Sequence, residues 1–242
     1  MKRVLIFVIS CNRPPYDEMI KTSMATWDSA EIENTETYYY CGGGGKSSGR
    51  TIMFDGEDDF HLMGHKNLLA FKWALENKQW DYMARVNASC YVHKQNLLNH
   101  VQLLPETGVM SGLISDGNFG SGISFPFMWG GSGMIISRDV IQLAVDNGAQ
   151  WDHSFAEDVA MGTLVQKHGI VLDGAGSALT INPNKGEYVC MSYRDRDMEV
   201  SSIKDLSELS RFQNHHFFRV KCEANRPHDA VLMRALKQFL IP

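Results

Sequence analysis

The stretch "RVLIFVISCNRPPYDEMIKTSMATW", Arg3–Trp27, joins an unbroken apolar run to a segment typical of a helix. The apolar run, Val4–Ile9, is far shorter than the roughly 20 residues that a helix needs to span a bilayer. A secretory signal is also disfavoured, because no small-residue cleavage site follows the run. Asp17 and Glu18 then fall in the first turn of the predicted helix, where acids complement the helix dipole. The stretch therefore predicts a buried first strand followed by a helix.

The same alternation of strand and helix patterns continues along the chain. The predicted strands that follow are TETYYYC, TIMFD, DYMARV, GVMSGLI, GSGMIIS and IVLD. Predicted helices begin after a cap at Asp58 or Asp59, at Lys94, after Ser137, near Ser154 and at Pro227, and the C-terminal third is less regular. This order predicts a single-domain α/β fold over residues 1–242, with helices flanking a mainly parallel central sheet.

The composition limits the classes of protein to which the chain can belong. The 242 residues carry a net charge of −5, with 44% hydrophobic and 21% charged residues. These values are ordinary for a soluble globular protein, and no basic excess exists to neutralise the phosphates of a nucleic acid. The five cysteines are odd in number and form no CxxC pair, which suits reduced thiols better than disulfides or a zinc site. We therefore expect a cytoplasmic protein with no transmembrane segment and no glycan on the sequon at Asn87, while a peripheral position at a membrane stays open.

Polar segments follow several predicted strands at the point where each strand ends. They are Ser10–Pro15, Gly42–Arg50, Asn87–Ser89 and Asp173. In parallel sheets, ligands bind beyond the carboxyl ends of the strands. We therefore expect the functional residues to come mainly from these segments.

The glycine loop Gly42–Arg50 contains Gly-Lys-Ser, the end of the phosphate-loop pattern GxxxxGK[ST]. Tyr40 stands where the pattern requires its first glycine, and a predicted strand follows instead of a helix. The loop is therefore interpreted as a surface loop rather than a nucleotide-triphosphate site.

Three further patterns each admit a functional and a structural interpretation. Trp129 lies beside three glycines, which mark close approach of a backbone or a ligand, so its ring either stacks on a sugar or belongs to the core. Glu157 and Asp158 open a predicted helix and either act chemically or complement its dipole. Arg219 and Lys221 alternate onto one face of a strand, which either binds an anion or is solvated.

Together these segments resemble the inverting β-1,3-galactosyl/N-acetylglucosaminyltransferase and Fringe group of GT-A glycosyltransferases, over Val4–Gly169. The stretch ending "TSMATW" after Arg13 is similar to the group's R-x-TW motif, and "EDVAMGTLVQKHGI" closely matches E-D-V-x-x-G…G-V. The stretch "FPFMWGGSGMIISRD" resembles its Gly-Gly-x-Gly segment. The helix of "DDFHLMGHKNLLAFKW" carries matching residues at Asp58, Phe60, Lys66 and Trp73.

The resemblance implies a Rossmann-like GT-A fold, with a nucleotide-binding half at 1–92 and an acceptor-binding and C-terminal half at 93–242. It also implies inverting transfer of a sugar from a nucleotide-sugar donor, expected to be a UDP-sugar, to a glycan hydroxyl. Asp158 would be the general base, and Glu157 would orient the catalytic site. The acceptor side would be lined by Trp129, Gly130, Gly131 and Ser132.

The chain departs from this group where the group has an acidic Asp-Asp-Asp triplet, because it has Asn87-Ala88-Ser89. Carboxylates hold the divalent metal that neutralises the diphosphate, whereas asparagine and serine offer only neutral oxygens. No cofactor is therefore expected, and manganese would need other ligands. In a metal-independent enzyme, Asn87 and Ser89 would hydrogen-bond the donor. Its diphosphate would be balanced by cations from Arg13, Lys66, Arg85, Arg219 and Lys221.

Two other classes of function stay open. The chain could be a non-catalytic relative that binds sugar or nucleotide, although the retained Glu157-Asp158 pair favours an enzyme. It could also be a carbohydrate-binding scaffold, which would bind acceptor but no nucleotide. For an enzyme, the expected partners are a nucleotide sugar and a glycan or lipid-linked saccharide in a bacterial or virus-infected cytoplasm. The sequence specifies neither the donor sugar, the linkage nor the oligomeric state.

Overall fold

The computed structural model describes residues 1–59, 62–115, 125–184, 186–194, 197–223 and 225–240. Phe60, which belongs to the resemblance, lies outside these residues. The described residues form two sheets, a short hairpin and flanking helices. The α-helices are α1 (Tyr16–Ala25), α2 (Met63–Asn77), α3 (Lys94–Leu103), α4 (Arg138–Asp146), α5 (Glu157–Lys167) and α6 (Pro227–Leu236).

The central sheet has the strand order β10-β6-β9-β4-β1-β2-β3. These strands are β1 (Val4–Ile9), β2 (Thr35–Cys41), β3 (Thr51–Met53), β4 (Tyr82–Asn87), β6 (Met110–Gly112), β9 (Met134–Ser137) and β10 (Leu172–Asp173). Neighbouring strands are parallel except β9, which runs antiparallel to both β4 and β6. The α/β class and the mainly parallel sheet are therefore confirmed.

Strand β1 lies near the middle of the central sheet because both of its faces are apolar. All six of its residues are buried, and they point alternately into two apolar clusters. One cluster takes side chains from α2, α4 and α5, and the other takes them from α1, α3 and α6. A strand covered on both faces is expected to read as a continuous apolar run, so the predicted buried strand is confirmed.

A second sheet lies against the first and has the order β13-β12-β11-β14-β5. Its strands are β5 (Cys90–Val92), β11 (Ser177–Asn184), β12 (Glu187–Arg194), β13 (Asp197–Ile203) and β14 (Phe217–Val220). The C-terminal third is therefore more regular than the sequence predicts. The pattern is faint because β13 is almost wholly exposed, so its position is set by pairing with β12 rather than by burial of its own side chains.

The turn at Ala88–Ser89 joins the two sheets. Asn87 ends β4, and Cys90 already belongs to β5 in the second sheet. The amide of Ala88 donates to the carbonyl of Ile9 at 3.0 Å, and the carbonyl of Ser89 accepts from the amide of Val220 at 2.9 Å. This turn is nearly inaccessible, with Ala88 and Ser89 each 2% exposed. It therefore holds the end of β14 beside the carboxyl end of β1.

Several element boundaries differ from the predictions. The segment GVMSGLI is not one strand, because β7 (Ile114–Ser115) leaves the central sheet and pairs with β8 (Phe127–Met128). The glycine stretch forms a 3-10 turn, Gly130–Ser132, before β9 begins. Neither Asp58 nor Asp59 caps α2, which begins at Met63.

Ser137 precedes α4 as predicted, but its hydroxyl does not cap that helix. The hydroxyl oxygen accepts from the amide of Val109 at 2.9 Å instead. Within the described part of the chain, no helix combines the length and apolar character that a bilayer crossing needs.

Gly133 is required where the 3-10 turn meets the second sheet. Its φ is +100°, and a Cβ there would lie 2.5 Å from Cδ2 of Phe217. Gly169 also has a positive φ, +84°, but a Cβ there would meet nothing within 4 Å. A side chain at Gly169 would therefore cause backbone strain alone, whereas a side chain at Gly133 would cause both backbone strain and a clash with Phe217.

We expect Gly133→Ala to destabilise the protein more than Gly169→Ala. The backbone strain common to both costs roughly 1–2 kcal/mol, and the clash with Phe217 adds roughly 1–3 kcal/mol. Urea denaturation of the two variants measures the difference. Equal losses would show that β14 moves away from the turn without a penalty.

Candidate functional site

Two adjoining cavities open at the carboxyl edge of the central sheet. The β1 cavity, about 360 Å³, lies where β1 and β4 end and includes Ser10, Cys11, Tyr16, Asp58 and Ser89 in its wall. The α5 cavity, about 610 Å³, lies at the start of α5 and includes Phe127, Trp129, Gly131, Phe155 and Asp158. The wall common to both consists of Met63, Asn87, Arg219 and Lys221.

Asn87 presents its amino group to the cavities. Its side chain lies on the same face of β4 as that of Arg85, because residues two apart in a strand share a face. Nη1 of Arg85 donates to Oδ1 of Asn87 at 3.1 Å, and Arg85 is fully buried. A flipped amide would set two donors against each other, so the guanidinium group fixes the orientation. Oδ1 therefore points inward, and Nδ2 remains to donate to a ligand.

Arg85 does not line either cavity and instead organises the wall behind them. Its Nη2 pairs with Oε1 of Glu157, and its Nη1 also donates to the carbonyl of Gly130 at 2.8 Å. The other carboxylate oxygen of Glu157 accepts from Nδ2 of Asn67 at 2.8 Å, and Asn67 in turn accepts from the hydroxyl of Tyr40 at 2.7 Å. These five residues form one buried polar network that links β2, β4, α2, α5 and the 3-10 turn.

Glu157 lies on the wall of the α5 cavity but is only 6% exposed. Burial raises the pKa of Glu157 to about 7, against the opposing effect of Arg85. Both of its oxygens are engaged within the network. This arrangement suits a residue that orients its neighbours, as the resemblance implies.

Asp158 reaches the α5 cavity with backbone amides behind it. Its Oδ2 accepts from the amide of Gly130 at 3.0 Å, and its Oδ1 accepts from the amide of Val159 at 2.9 Å. A carboxylate oxygen can accept more than one hydrogen bond, so both oxygens retain capacity for a ligand hydroxyl. The backbone contacts fix the carboxylate in place, as a general base requires.

The glycines of the 3-10 turn allow two guanidinium groups to approach its backbone. A Cβ at Gly130 would lie 2.7 Å from Nη1 of Arg85, and a Cβ at Gly131 would lie 2.4 Å from Cζ of Arg219. Of the residues predicted for the acceptor side, Trp129 and Gly131 line the α5 cavity, whereas Gly130 lines neither cavity. Ser132 is fully buried and lines neither cavity, so its predicted contact with an acceptor does not fit its position.

Arg219 is the least compensated cation at the site. It lines both cavities, and no carboxylate forms an ion pair with it in the described part of the chain. Burial lowers the pKa of Arg219, and its Nε has no hydrogen-bond partner among the described residues. By contrast, Lys221 pairs with Glu223 at 2.5 Å and Arg226 pairs with Asp229 at 3.0 Å. A bound anion would supply the partner that Arg219 lacks.

Lys66 lines the β1 cavity, but its charge is already compensated. Its Nζ pairs with Oδ1 of Asp58 and donates to the carbonyl of Ser10 at 2.7 Å. Burial opposes ionisation of Asp58, yet Lys66 holds the pKa of that carboxyl below its usual range. Oδ2 of Asp58 also accepts from the amide of Asn12 at 3.2 Å. Lys66 therefore fixes the segment after β1 rather than offering a free charge.

The remaining predicted segments lie outside the two cavities. Arg13 is exposed and lines neither, although its carbonyl accepts from the amide of Tyr16 at 2.8 Å at the start of α1. The loop Gly42–Arg50 and Asp173 also line neither. Of the four strand-end segments, Ser10–Pro15 and Asn87–Ser89 thus meet at the site.

Sequence reasoning missed several contributors to the site. The sequence indicates Asp58 only as a helix cap and a motif residue, and it assigns no role to Tyr16, Phe155 or Arg226, although all four line the cavities. Of these residues, only Arg226 could be predicted from the sequence to lie at the site, because it follows Arg219 and Lys221 in the same basic segment. The others reach the cavities only through the fold.

Comparison with known proteins identifies a shared fold. No family model matches the sequence, and no curated protein matches it. Among solved structures, the chain is similar to a glycosyltransferase involved in the glycosylation of the major capsid of PBCV-1. The two share 13% identity over 96% of this chain and 99% of that one, with a TM-score of 0.55.

A second solved structure, the apo-form glycosyltransferase GlyE of Streptococcus pneumoniae TIGR4, shares 13% identity over 71% of this chain and 45% of that one. Its TM-score of 0.39 is too low to carry an argument. At 13% identity the first likeness shows that the two chains share a Rossmann-like α/β fold and nothing finer. The resemblance to the β-1,3-transferase and Fringe group stays a prediction.

We expect Arg85→Met to be strongly destabilising, because it leaves the Glu157 carboxyl buried without its main partner. Loss of one member of a buried ion pair costs roughly 3–5 kcal/mol. The double variant Arg85→Met/Glu157→Met should lose less than the sum of the two single variants, since no unpaired charge remains. Urea denaturation of all four proteins measures this, and additive losses would contradict it.

Proposed function

We propose that this protein is an inverting glycosyltransferase that moves a sugar from a nucleotide-sugar donor, a UDP-sugar, to a saccharide hydroxyl without a divalent metal. The observation that carries the proposal is the meeting of two cavities at Asn87 and Arg219. Arg219 and Lys221 lie on the wall between the two cavities, Arg226 lines the β1 cavity, and an anchored carboxylate, Asp158, lies in the α5 cavity. Sugar transfer needs this separation of a base from a group that binds phosphate.

The β1 cavity is assigned to the donor. Arg219, Lys221 and Arg226 line it, and Arg219, which forms no ion pair with a described carboxylate, would be the main balance for the diphosphate, for which guanidinium groups are well shaped. Nδ2 of Asn87 and the hydroxyl of Ser89 would donate hydrogen bonds to phosphate or ribose oxygens. The Ser89 hydroxyl is buried and has no hydrogen-bond partner in the described chain, so a ligand would satisfy it.

The other predicted donor contacts take different roles in this proposal. Arg85 acts through Asn87 and Glu157, since it is fully buried behind the wall. Lys66 acts through Asp58, which holds the segment after β1. Both are therefore positioning residues.

The residues at the strand end do not fit a divalent metal. Asn87 offers one oxygen, and the guanidinium group of Arg85 already donates to it. Ser89 supplies only a neutral hydroxyl, whereas hard cations prefer carboxylate ligands. A metal there would also be repelled by Arg85, which lies at hydrogen-bond distance from Asn87.

In the proposed reaction, an acceptor hydroxyl in the α5 cavity gives its proton to a carboxylate oxygen of Asp158. The hydroxyl oxygen forms a bond to the anomeric carbon from the face opposite the diphosphate, so the configuration inverts. The bond from that carbon to the phosphate oxygen breaks, and the nucleoside diphosphate leaves with the electron pair. Arg219 and Lys221 stabilise the growing negative charge. Phe127, Trp129 and Phe155 provide an apolar wall for sugar rings.

We expect Asp158→Asn to slow transfer by about 10²–10⁴-fold, because the amide cannot take the proton. Donor affinity should stay unchanged, since asparagine can still accept from the amide of Gly130. The control is Asp152→Asn in the loop before α5, where Asp152 accepts from the amide of Ser154 at 3.0 Å and does not line the α5 cavity. Transfer rates and UDP affinity are measured for both variants. Lost UDP affinity in Asp158→Asn alone would contradict the assignment.

We expect a nucleoside diphosphate such as UDP to raise the melting temperature equally with manganese and with EDTA. Asn87→Asp should weaken this effect more than Asn87→Ala, because a carboxylate both removes a donor and repels the diphosphate. Manganese should not restore binding to Asn87→Asp, since Arg85 would pair with the new carboxylate. A thermal-shift panel of the three proteins measures these effects.

A requirement for manganese in the wild-type protein would contradict metal-independent binding. No shift with any nucleoside diphosphate, together with binding of a saccharide, would favour the carbohydrate-binding alternative over the transferase.

A further inference from the structure

A third cavity lies beside β6 and β10, at one lateral edge of the central sheet, and contains none of the residues assigned to the donor or to catalysis. This edge cleft, about 580 Å³, lies between β6, the segment that follows α5, and the β12–β13 hairpin. Its lining includes Gly112, Gln166, Gly176, Tyr193 and Asp197. The proposed reaction uses none of these residues.

Part of the edge cleft is lined by backbone without side chains. Gly112, Gly174 and Gly176 all contribute to it. A Cβ at Gly176 would lie 2.6 Å from Cα of Gly112, so the two segments pack too closely for a side chain. Backbone packing therefore explains these two glycines, and Gly174 adds a further stretch of backbone to the lining.

The other walls combine an aromatic ring with polar groups of both signs. Tyr193 and Gln166 line the cleft, and Arg194 and Asp197 are cross-strand partners in the hairpin that also line it. Arg194 and Asp197 contribute one charge of each sign to the lining, so the net charge of the lining is zero. Such a lining suits a neutral ligand with many hydroxyl groups, because it provides donors, acceptors and an aromatic face. A diphosphate would find no net positive charge there.

Helix α5 connects the edge cleft to the α5 cavity. Asp158 lies in its first turn and Gln166 near its end, a separation of about 12 Å at 1.5 Å per residue. The chain at the start of β8 also runs between these two cavities, because Phe127 lines the α5 cavity and the preceding residue, Pro126, lines the edge cleft. The side-chain Nε2 of Gln166 donates to the carbonyl of Pro126 at 2.9 Å, so the helix and this segment are joined at the cleft.

We infer that the edge cleft binds a distal sugar of the acceptor, which is therefore an oligosaccharide rather than a monosaccharide. This rests on the proposed function, since it is the α5 cavity that would hold the reacting end. A saccharide that reaches both cavities must cover the distance between Asp158 and Gln166, which exceeds one sugar ring. Tyr193 would then stack on the distal ring, and Asp197 would accept from its hydroxyls.

The test is a glycan array that carries neutral monosaccharides to hexasaccharides, probed with the wild-type protein and three variants in the absence of nucleotide. Tyr193→Leu and Asp197→Ala remove the contacts of the cleft. Glu199→Ala is the matched control, because Glu199 is an exposed carboxylate two residues along β13 that does not line the cleft. Melting temperatures of the variants check that each one is folded.

We expect the wild-type protein to prefer oligosaccharides over their terminal monosaccharides. Tyr193→Leu and Asp197→Ala should each weaken oligosaccharide binding about tenfold, the effect of losing one good contact, and Glu199→Ala should not. Equal binding by all four proteins, or no binding to any saccharide, would overturn the inference. So would a change in sedimentation that showed the cleft to be an interface between two copies of the chain.

The array result is independent of catalysis. If the variants differ as expected but no nucleotide sugar supports transfer, the proposed function fails while the cleft is still established as a saccharide site. If transfer occurs but monosaccharides and oligosaccharides bind equally, the proposed function survives and the inference about the cleft is wrong.

Discussion

The site depends on the contacts that the guanidinium group of Arg85 makes. From the middle of the sheet it contacts Glu157, Asn87 and the carbonyl of Gly130, and it is fully buried. A buried cation is tolerated only when its donors are satisfied and its charge is balanced. Glu157 balances the charge and both Nη atoms donate, while Nε has no hydrogen-bond partner among the described residues. The network therefore orients the side-chain amide of Asn87 and, through the Gly130 turn, the carboxylate of Asp158. The contacts of Arg85 therefore fix side chains that line both cavities.

The second constraint is the turn at Ala88–Ser89, which passes the chain from one sheet to the other. Because Ser89 also bonds to the end of β14, the turn determines where that strand lies. Arg219 pairs in register with Cys90, immediately after the turn. The basic residues near the C-terminus therefore reach the carboxyl edge of a sheet built mainly from the first half of the chain.

The fold was more predictable than the site, for identifiable physical reasons. The run Val4–Ile9 predicts its own burial, and the alternation of Arg219 and Lys221 correctly places them on one side. The sequence does not reveal that Arg85 and Lys66 are buried, because a cation is expected at the surface unless its partner is known. Those partners, Glu157 and Asp58, are defined only by the tertiary structure. The glycine-turn conformation of Gly130–Ser132 likewise depends on the guanidinium groups that approach it.

The chemistry at the end of β4 also depends on the buried Arg85. A position that carries carboxylates in the group the chain resembles is here placed beside a buried cation, so an aspartate there would be drawn to Arg85 and away from a ligand. An asparagine instead gives its oxygen to Arg85 and keeps two N–H donors for the cavity. The neutral side chain is therefore not a weakened version of a metal ligand. In the proposed function, the strand end would donate hydrogen bonds to an anion instead of binding a cation, next to Arg219, whose charge has no partner among the described carboxylates.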